Sequence, residues 1–137
     1  MMQYVTLSVI AMILSAGQIG IAQEKPIAVA LKQVIENPRE FDGKLVEVQG
    51  FLVVGIQPRH APLVILYLCQ EDAKRSVPKN GIIVIPNHEM MRRQEEISHN
   101  YVSLTGVVHA FRGGHGAYGG VIKEIQDFRL SERRTEI

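Results

Sequence analysis

The sequence predicts a mainly β fold: a five-stranded barrel with an N-terminal capping helix and a second helix between strands three and four. Three observations carry that reading. Five runs rich in Val, Ile, Leu and Tyr are spaced by Gly, Pro and Asn turn signals. Two stretches carry the three-to-four-residue apolar spacing of a helix, one before the first strand and one between the third and fourth. The 137 residues, 46% of them hydrophobic, suffice for one small core and not comfortably for two.

The opening residues, "MMQYVTLSVIAMILSAGQIGIAQEKP", hold no charged side chain before Glu24. An apolar centre over residues 5–14, broken by Thr6 and Ser8, leads to small residues ending in Gly20-Ile21-Ala22. That is the pattern of a cleaved export signal, since a spanning helix needs about 20 apolar residues without such breaks. The missing Lys or Arg near the start is its one departure from the rule. The expectation is a signal peptide over 1–22, cleaved after Ala22, a single domain over 23–130 and a charged, frayed tail over 131–137. The protein would then be periplasmic or secreted, with no stable transmembrane span.

After Pro26, "IAVALKQVIENP" places Ile27, Leu31, Val34 and Ile35 on one helical face. Asn37-Pro38 ends that helix, because proline pushes its predecessor out of the helical region. "REFDGK" makes a turn in which Gly43 supplies a positive φ. "KLVEVQGFLVV" is the first strand, and Gly50 within it suggests a bulge or sharp bend. "IQPRHAP" is a loop and "LVILYLC" the second strand. "QEDAKRSVPKNG" is a polar connection ending in an Asn80-Gly81 turn.

"IIVIP" is the third strand. "NHEMMRRQEEISHN" is a short helix with Asn87 as cap and Met90, Met91 and Ile97 on its apolar side. "YVSLTGVVHAF" is the fourth strand. "GGVIKEIQDF" is the fifth, and its alternation is imperfect: Val121, Lys123 and Ile125 stand against Ile122, Glu124 and Gln126. A five-stranded barrel with a helix between its third and fourth strands has the OB-fold order.

The pieces "NPREFDGKLVEVQGFL", "LYLCQEDAK", "KNGIIV" and "YVSLTGVVHAFRGGHGAYGGVIKEI" resemble a family of small exported bacterial proteins of unassigned function. Those proteins share an N-P-x(3)-D-G-K-x-V-x-V-x-G opening and a closing G-H-G-x-x-x-G-x-I hairpin, which falls here on Gly114, His115, Gly116, Gly120 and Ile122. The resemblance runs from Asn37 to Ile125. It implies a small OB-like barrel outside the cytoplasm and no particular reaction. "VGIQPRHAP" is longer and more polar than the family's matching loop.

Charge and motifs exclude several functions. Fifteen Lys and Arg against 14 Asp and Glu give a formal net charge of +1, with both signs interspersed. A nucleic-acid binder draws much of its affinity from neutralising phosphates, so single-stranded nucleic-acid binding is the least favoured reading. The lone Cys69 cannot form an intramolecular disulfide; at the end of an apolar run it reads as a small core residue. Residues 114–119 match G-x-G-x-x-G, but a strand follows where a dinucleotide loop needs a helix, and no Gly-Lys-Ser/Thr makes a Walker loop.

The five histidines have no compact metal signature. Of them, His109 and His115, flanking or within the glycine loop, are the candidate ligands of an alternative, histidine-dependent metal-binding protein or hydrolase. No serine sits in a G-x-S-x-G elbow, and Glu71-Asp72 and Glu95-Glu96 read as solvated faces. The sequence therefore points to a non-enzymatic binding domain with no cofactor. OB barrels bind across one face and through the loops at its rim. The candidate ligand-binding residues are Arg112, Gly113, Gly114, His115, Gly116 and Tyr118 of the fourth–fifth strand hairpin, with Tyr67 as an aromatic wall. Partners of suitable chemistry are an envelope protein, a peptide, a glycan or a small anion, the last held by consecutive backbone N–H groups.

Overall fold

A computed structural model describes residues 25–55, 62–111 and 120–132. Residues 1–22, expected to be a signal peptide, and residues 133–137 of the expected tail lie outside the described residues. Six strands form one mixed sheet: β1 (Ile27–Ala28), β2 (Leu45–Gly55), β3 (Leu63–Tyr67), β4 (Gly81–Val84), β5 (Asn100–Ala110) and β6 (Gly120–Leu130). Their order is β1-β2-β3-β4-β6-β5, and β5 pairs back with β2, so five strands close a hydrogen-bonded ring. The fold is mainly β, with short helices α1 (Leu31–Glu36), α2 (Gln70–Lys74), α3 (His88–Arg92) and α4 (Gln94–Ile97).

Alternation along the long strands builds the core. Val46, Val48 and Leu52 of β2 meet Val64 and Leu66 of β3, Ile82 and Val84 of β4, Val102, Leu104 and Val108 of β5, and Ile122 of β6. These residues are all no more than 1% exposed. Fully burying each such side chain contributes about 1.5–3 kcal/mol. β2 spans two environments: its whole first part pairs with β5, from Leu45↔Val107 to Leu52↔Asn100, while Phe51 to Gly55 pair with β3.

The N-terminal segment departs from expectation. The helix does not begin after Pro26, because Ile27 and Ala28 run parallel to β2, opposite Val46 and Glu47, and Val29 N donates to Glu47 O at 3.1 Å. An unpaired stretch of β2 edge offers backbone partners there, and the β-branched Ile27 and Val29 suit an extended chain. Only Leu31–Glu36 is helical, and it sends Leu31 and Val34 into the core.

Gly50 does not mark a bulge, since the β2–β5 register passes through it unbroken. Close approach accounts for it instead: a Cβ there would sit 2.5 Å from Tyr67 O and 2.8 Å from Leu31 Cδ2. The register break lies between Thr105 and Val107 of β5, where Glu124, Ile125 and Gln126 of β6 stand opposite Gly106. This bulge explains the imperfect alternation of the last strand, because it lets Ile122 and Ile125 both turn inward.

The polar connection is more ordered than its composition suggests. It holds α2 and a 3₁₀ turn, Pro78–Asn80, tied together by Asp72, which accepts from Asn80 Nδ2 at 3.2 Å and from Cys69 Sγ at 3.3 Å. Cys69 is therefore half-buried at the start of α2 rather than a core residue. The helix between β4 and β5 forms as expected, broken at Arg93 into α3 and α4. Asn87 caps it, Oδ1 accepting from Met90 N at 2.8 Å. Met90 and Ile97 are buried, and Met91 is half-buried. Past β6 the pairing continues for one residue, Ser131 N donating to Tyr101 O at 2.9 Å.

Candidate functional site

The two ends of the ring carry different chemistry, and the candidate site belongs to the end where β2 begins. There the segment "NPREFDGK" folds into successive tight turns, with Glu40 N, Phe41 N and Asp42 N each donating to the carbonyl three residues back. Gly43 takes the expected positive φ, 78°. Its N–H donates to Val108 O at 2.7 Å, and Val108 N donates to Lys44 O at 3.1 Å, which seats the turn against β5.

Asp42 then does something the sequence did not reveal. Its Oδ1 accepts the backbone N–H of Ala110 at 2.9 Å, across 68 residues of chain. The Asp-Gly turn thus holds Ala110, the last residue of β5, so "NPREFDGK" meets the end of the strand from which the glycine-rich connection leaves. Arg39, Asp42, Ala110 and Phe111 line an open cleft of about 390 Å³ at this junction. It offers a guanidinium, a carboxylate already engaged by an amide, and an aromatic ring. Such a set can hold an anionic group beside an apolar one. Arg39 and Phe111 were not singled out by sequence because their relevance depends on Asp42 bringing two distant segments together.

Of the sequence-predicted site residues, Arg112, Gly113, Gly114, His115, Gly116 and Tyr118 lie outside the described residues. Tyr67 lies elsewhere: it is 4% exposed on the outer face of the ring, clustered with Phe51 and Ile65 and partly covered by Ala73 of α2 and Tyr101. Phe51 and Tyr101 meet edge to face at 5.2 Å, and the Tyr101 hydroxyl accepts from Gln70 N at 3.0 Å. This outer cluster packs α2 onto the sheet, so Tyr67 presents little surface as a wall.

The described histidines are separated. His88 opens α3. His99 sits between α4 and β5 with φ 62°, its N–H on Leu52 O at 2.7 Å. Its Nδ1 is 3.1 Å from Ser98 Oγ, an oxygen that also accepts from Val54 N at 3.0 Å. Ser98 therefore holds the turn into β5. His109 is far along β5, its Nε2 buried and 3.4 Å from Glu124 Oε2, without hydrogen-bond geometry. Among the described residues no three His, Cys, Asp or Glu side chains are grouped to hold a metal.

One carboxylate of each adjacent pair is engaged with neighbours: Glu96 accepts a two-pronged contact from Arg93 at 2.8 and 2.9 Å, and Asp72 bridges Cys69 and Asn80. No described helix is long and apolar enough to cross a membrane. No protein-family description matches the chain, and no curated protein is significantly similar to it.

Proposed function

We propose that the chain is an exported, non-enzymatic OB-like domain of the bacterial envelope, binding a peptide, a glycan, a small anion or another envelope protein at the rim where the Asp-Gly turn meets the glycine hairpin. The observation that carries this reading is connectivity. The ring runs β2-β3-β4-β6-β5 and back to β2, its joint between β4 and β6 is parallel, and α3 and α4 come between β4 and β5. Numbered within the ring, that is strand order 1-2-3-5-4-1, the arrangement of an OB barrel. That fold makes its contacts through the loop between its first two strands and the loop between its last two. Here these are "IQPRHAP" and the glycine-rich connection.

Support for a site at the second loop comes from its anchorage. Asp42 fixes Ala110, and Arg39 and Phe111 stand beside it. Export rests on the leader pattern of residues 1–22.

The test is a mild-crosslinking pull-down from the native envelope, comparing the natural chain with the Arg112→Ala, His115→Ala, Tyr118→Ala triple variant. The expected result is loss of specific partners from the variant with an unchanged unfolding midpoint. An unchanged partner list would move the site to "IQPRHAP". A matching loss of stability would make the hairpin structural.

A further inference from the structure

We propose that the free edge of β6 is a self-association surface, pairing antiparallel with the same edge of a second copy and centred on Phe128. This goes beyond the rim-binding reading and does not depend on it. The edge lies at the far end of β6 from Gly120, the residue that stands opposite Ala110 at the rim.

β6 pairs with β5 along most of its length, but on its other side β4 meets only Val121 and Ile122. Asn87 Nδ2 reaches Ile125 O at 3.2 Å, and among the described residues no strand pairs with that side beyond it. The ladder shows which groups are left over. Ser131 N donates to Tyr101 O, so those two form a hydrogen-bonded pair. By alternation Ser103 with Arg129 and Thr105 with Asp127 do the same. Phe128 and Leu130 fall between them, so their N–H and C=O groups point away from β5. Such a row is a template for another strand.

The order of charges selects a second copy of this chain as that strand. The edge reads Gln126-Asp127-Phe128-Arg129-Leu130. When Phe128 stands opposite Phe128 of the second copy, each Asp127 faces the Arg129 of the other chain. Moving the centre to Asp127 or to Arg129 would instead set like charges against each other. Opposite charges across a ladder stabilise it and like charges destabilise it, so the register is specified. Arg129 already contacts Asp127 at 3.4 Å and Glu47 at 3.1 Å within its own copy. Both the Arg129 and the Asp127 side chains remain 60% exposed, and pairing joins them into an alternating set of four charges. On the opposite face Leu130 is 45% exposed, one of three large hydrophobic residues left so among those described. In the same register it lies diagonal to Phe128 of the second copy, close enough to be covered. The interface is thus self-complementary, as a two-fold dimer requires.

The test is sedimentation equilibrium of the untagged protein over a range of concentrations, with thermal unfolding of each variant as the folding control. The natural chain should show reversible monomer–dimer association. Asp127→Arg and Arg129→Asp each set like charges face to face twice, and either alone should weaken association roughly tenfold or more. An equimolar mixture of the two should associate as the natural chain does, since one copy then carries two cations and the other two anions at these positions. Leu130→Pro removes an N–H that β5 does not use, a change that edge strands tolerate. It should abolish dimerisation with little change in the unfolding midpoint. A natural chain that stays monomeric throughout would overturn the proposal. So would association that survives Leu130→Pro, or folded single variants that fail to associate when mixed.

Discussion

The helices where β2 finishes are held by apolar side chains; the Asp-Gly turn that leads into β2 is seated on β5 by hydrogen bonds. At the first end Met90 and Ile97, 1% and 0% exposed, fill the space under α3 and α4. Asn87 caps α3 and also donates from Nδ2 to Ile125 O at 3.2 Å, and Arg93 lies over the Phe128 ring at 5.0 Å. At the Asp-Gly turn the contacts to β5 are hydrogen bonds, Asp42 to Ala110, Gly43 to Val108 and Val108 to Lys44, beside an open cleft. Apolar burial contributes stability in proportion to area, whereas an exposed hydrogen bond contributes little net energy and much positional definition. α3 and α4 therefore carry stability, as Leu31 and Val34 of α1 do, whereas the Asp-Gly turn itself carries position. Recognition loops on a rigid scaffold are built this way.

The strongest way to break that contrast is at Ile97. Ile97→Ala deletes a fully buried side chain at the helix end and should cost about 2–5 kcal/mol. Urea denaturation should show a lower midpoint with an unchanged slope. A loss below about 1 kcal/mol would place the main stability elsewhere, since core truncations of this kind rarely cost so little. At the turn end, Asp42→Ala should cost only about 0.5–1.5 kcal/mol, the net worth of one hydrogen bond. Its signature is local: the Ala110 amide should exchange with solvent much faster, while amides of β2 and β3 keep their protection. Equal deprotection of the whole sheet would mean that the turn end supports the fold after all.

Much of this asymmetry was legible in the sequence, and the reasons for the rest are physical. The Val46, Val48, Leu52 alternation, the Asn87 cap and the positive φ at Gly43 are local signals, each decided by residues within a turn or a strand. The extended Ile27–Ala28 was not legible, because the edge that recruits it belongs to β2, well away in sequence. Gly50 signalled something unusual, but only the neighbouring Tyr67 carbonyl and Leu31 distinguish close approach from a bulge. The true bulge was written as the broken alternation around Glu124, yet its partner His109 emerges only when β5 and β6 are paired. Asp42 reaching Ala110 is likewise long-range, so the sequence marked both segments without joining them.

The smallest expected effect sharpens the comparison by separating charge from burial at the helix end. The Arg93 fork donates to Glu96 and holds its carboxyl below the ordinary value of 4.5, while the same hydrogen bond raises Arg93. A carboxyl depressed in the folded state stabilises the fold above the unfolded chain's titration range, and that contribution is lost as pH falls through the folded value. The pair is solvent-exposed and screened by salt, so its worth is small. Glu96→Gln removes the charge and one of the two hydrogen bonds from Arg93, while leaving the Phe128 ring in place for its stack. The stability difference between the natural chain and Glu96→Gln should be small and constant near neutral pH. It should shrink below about pH 4.5, where the carboxyl begins to protonate, and added salt should shrink it further at any pH. A difference that stayed flat into acid would show that the helix end is held by apolar burial alone, with Arg93 acting through its stack on the ring and not through its charge.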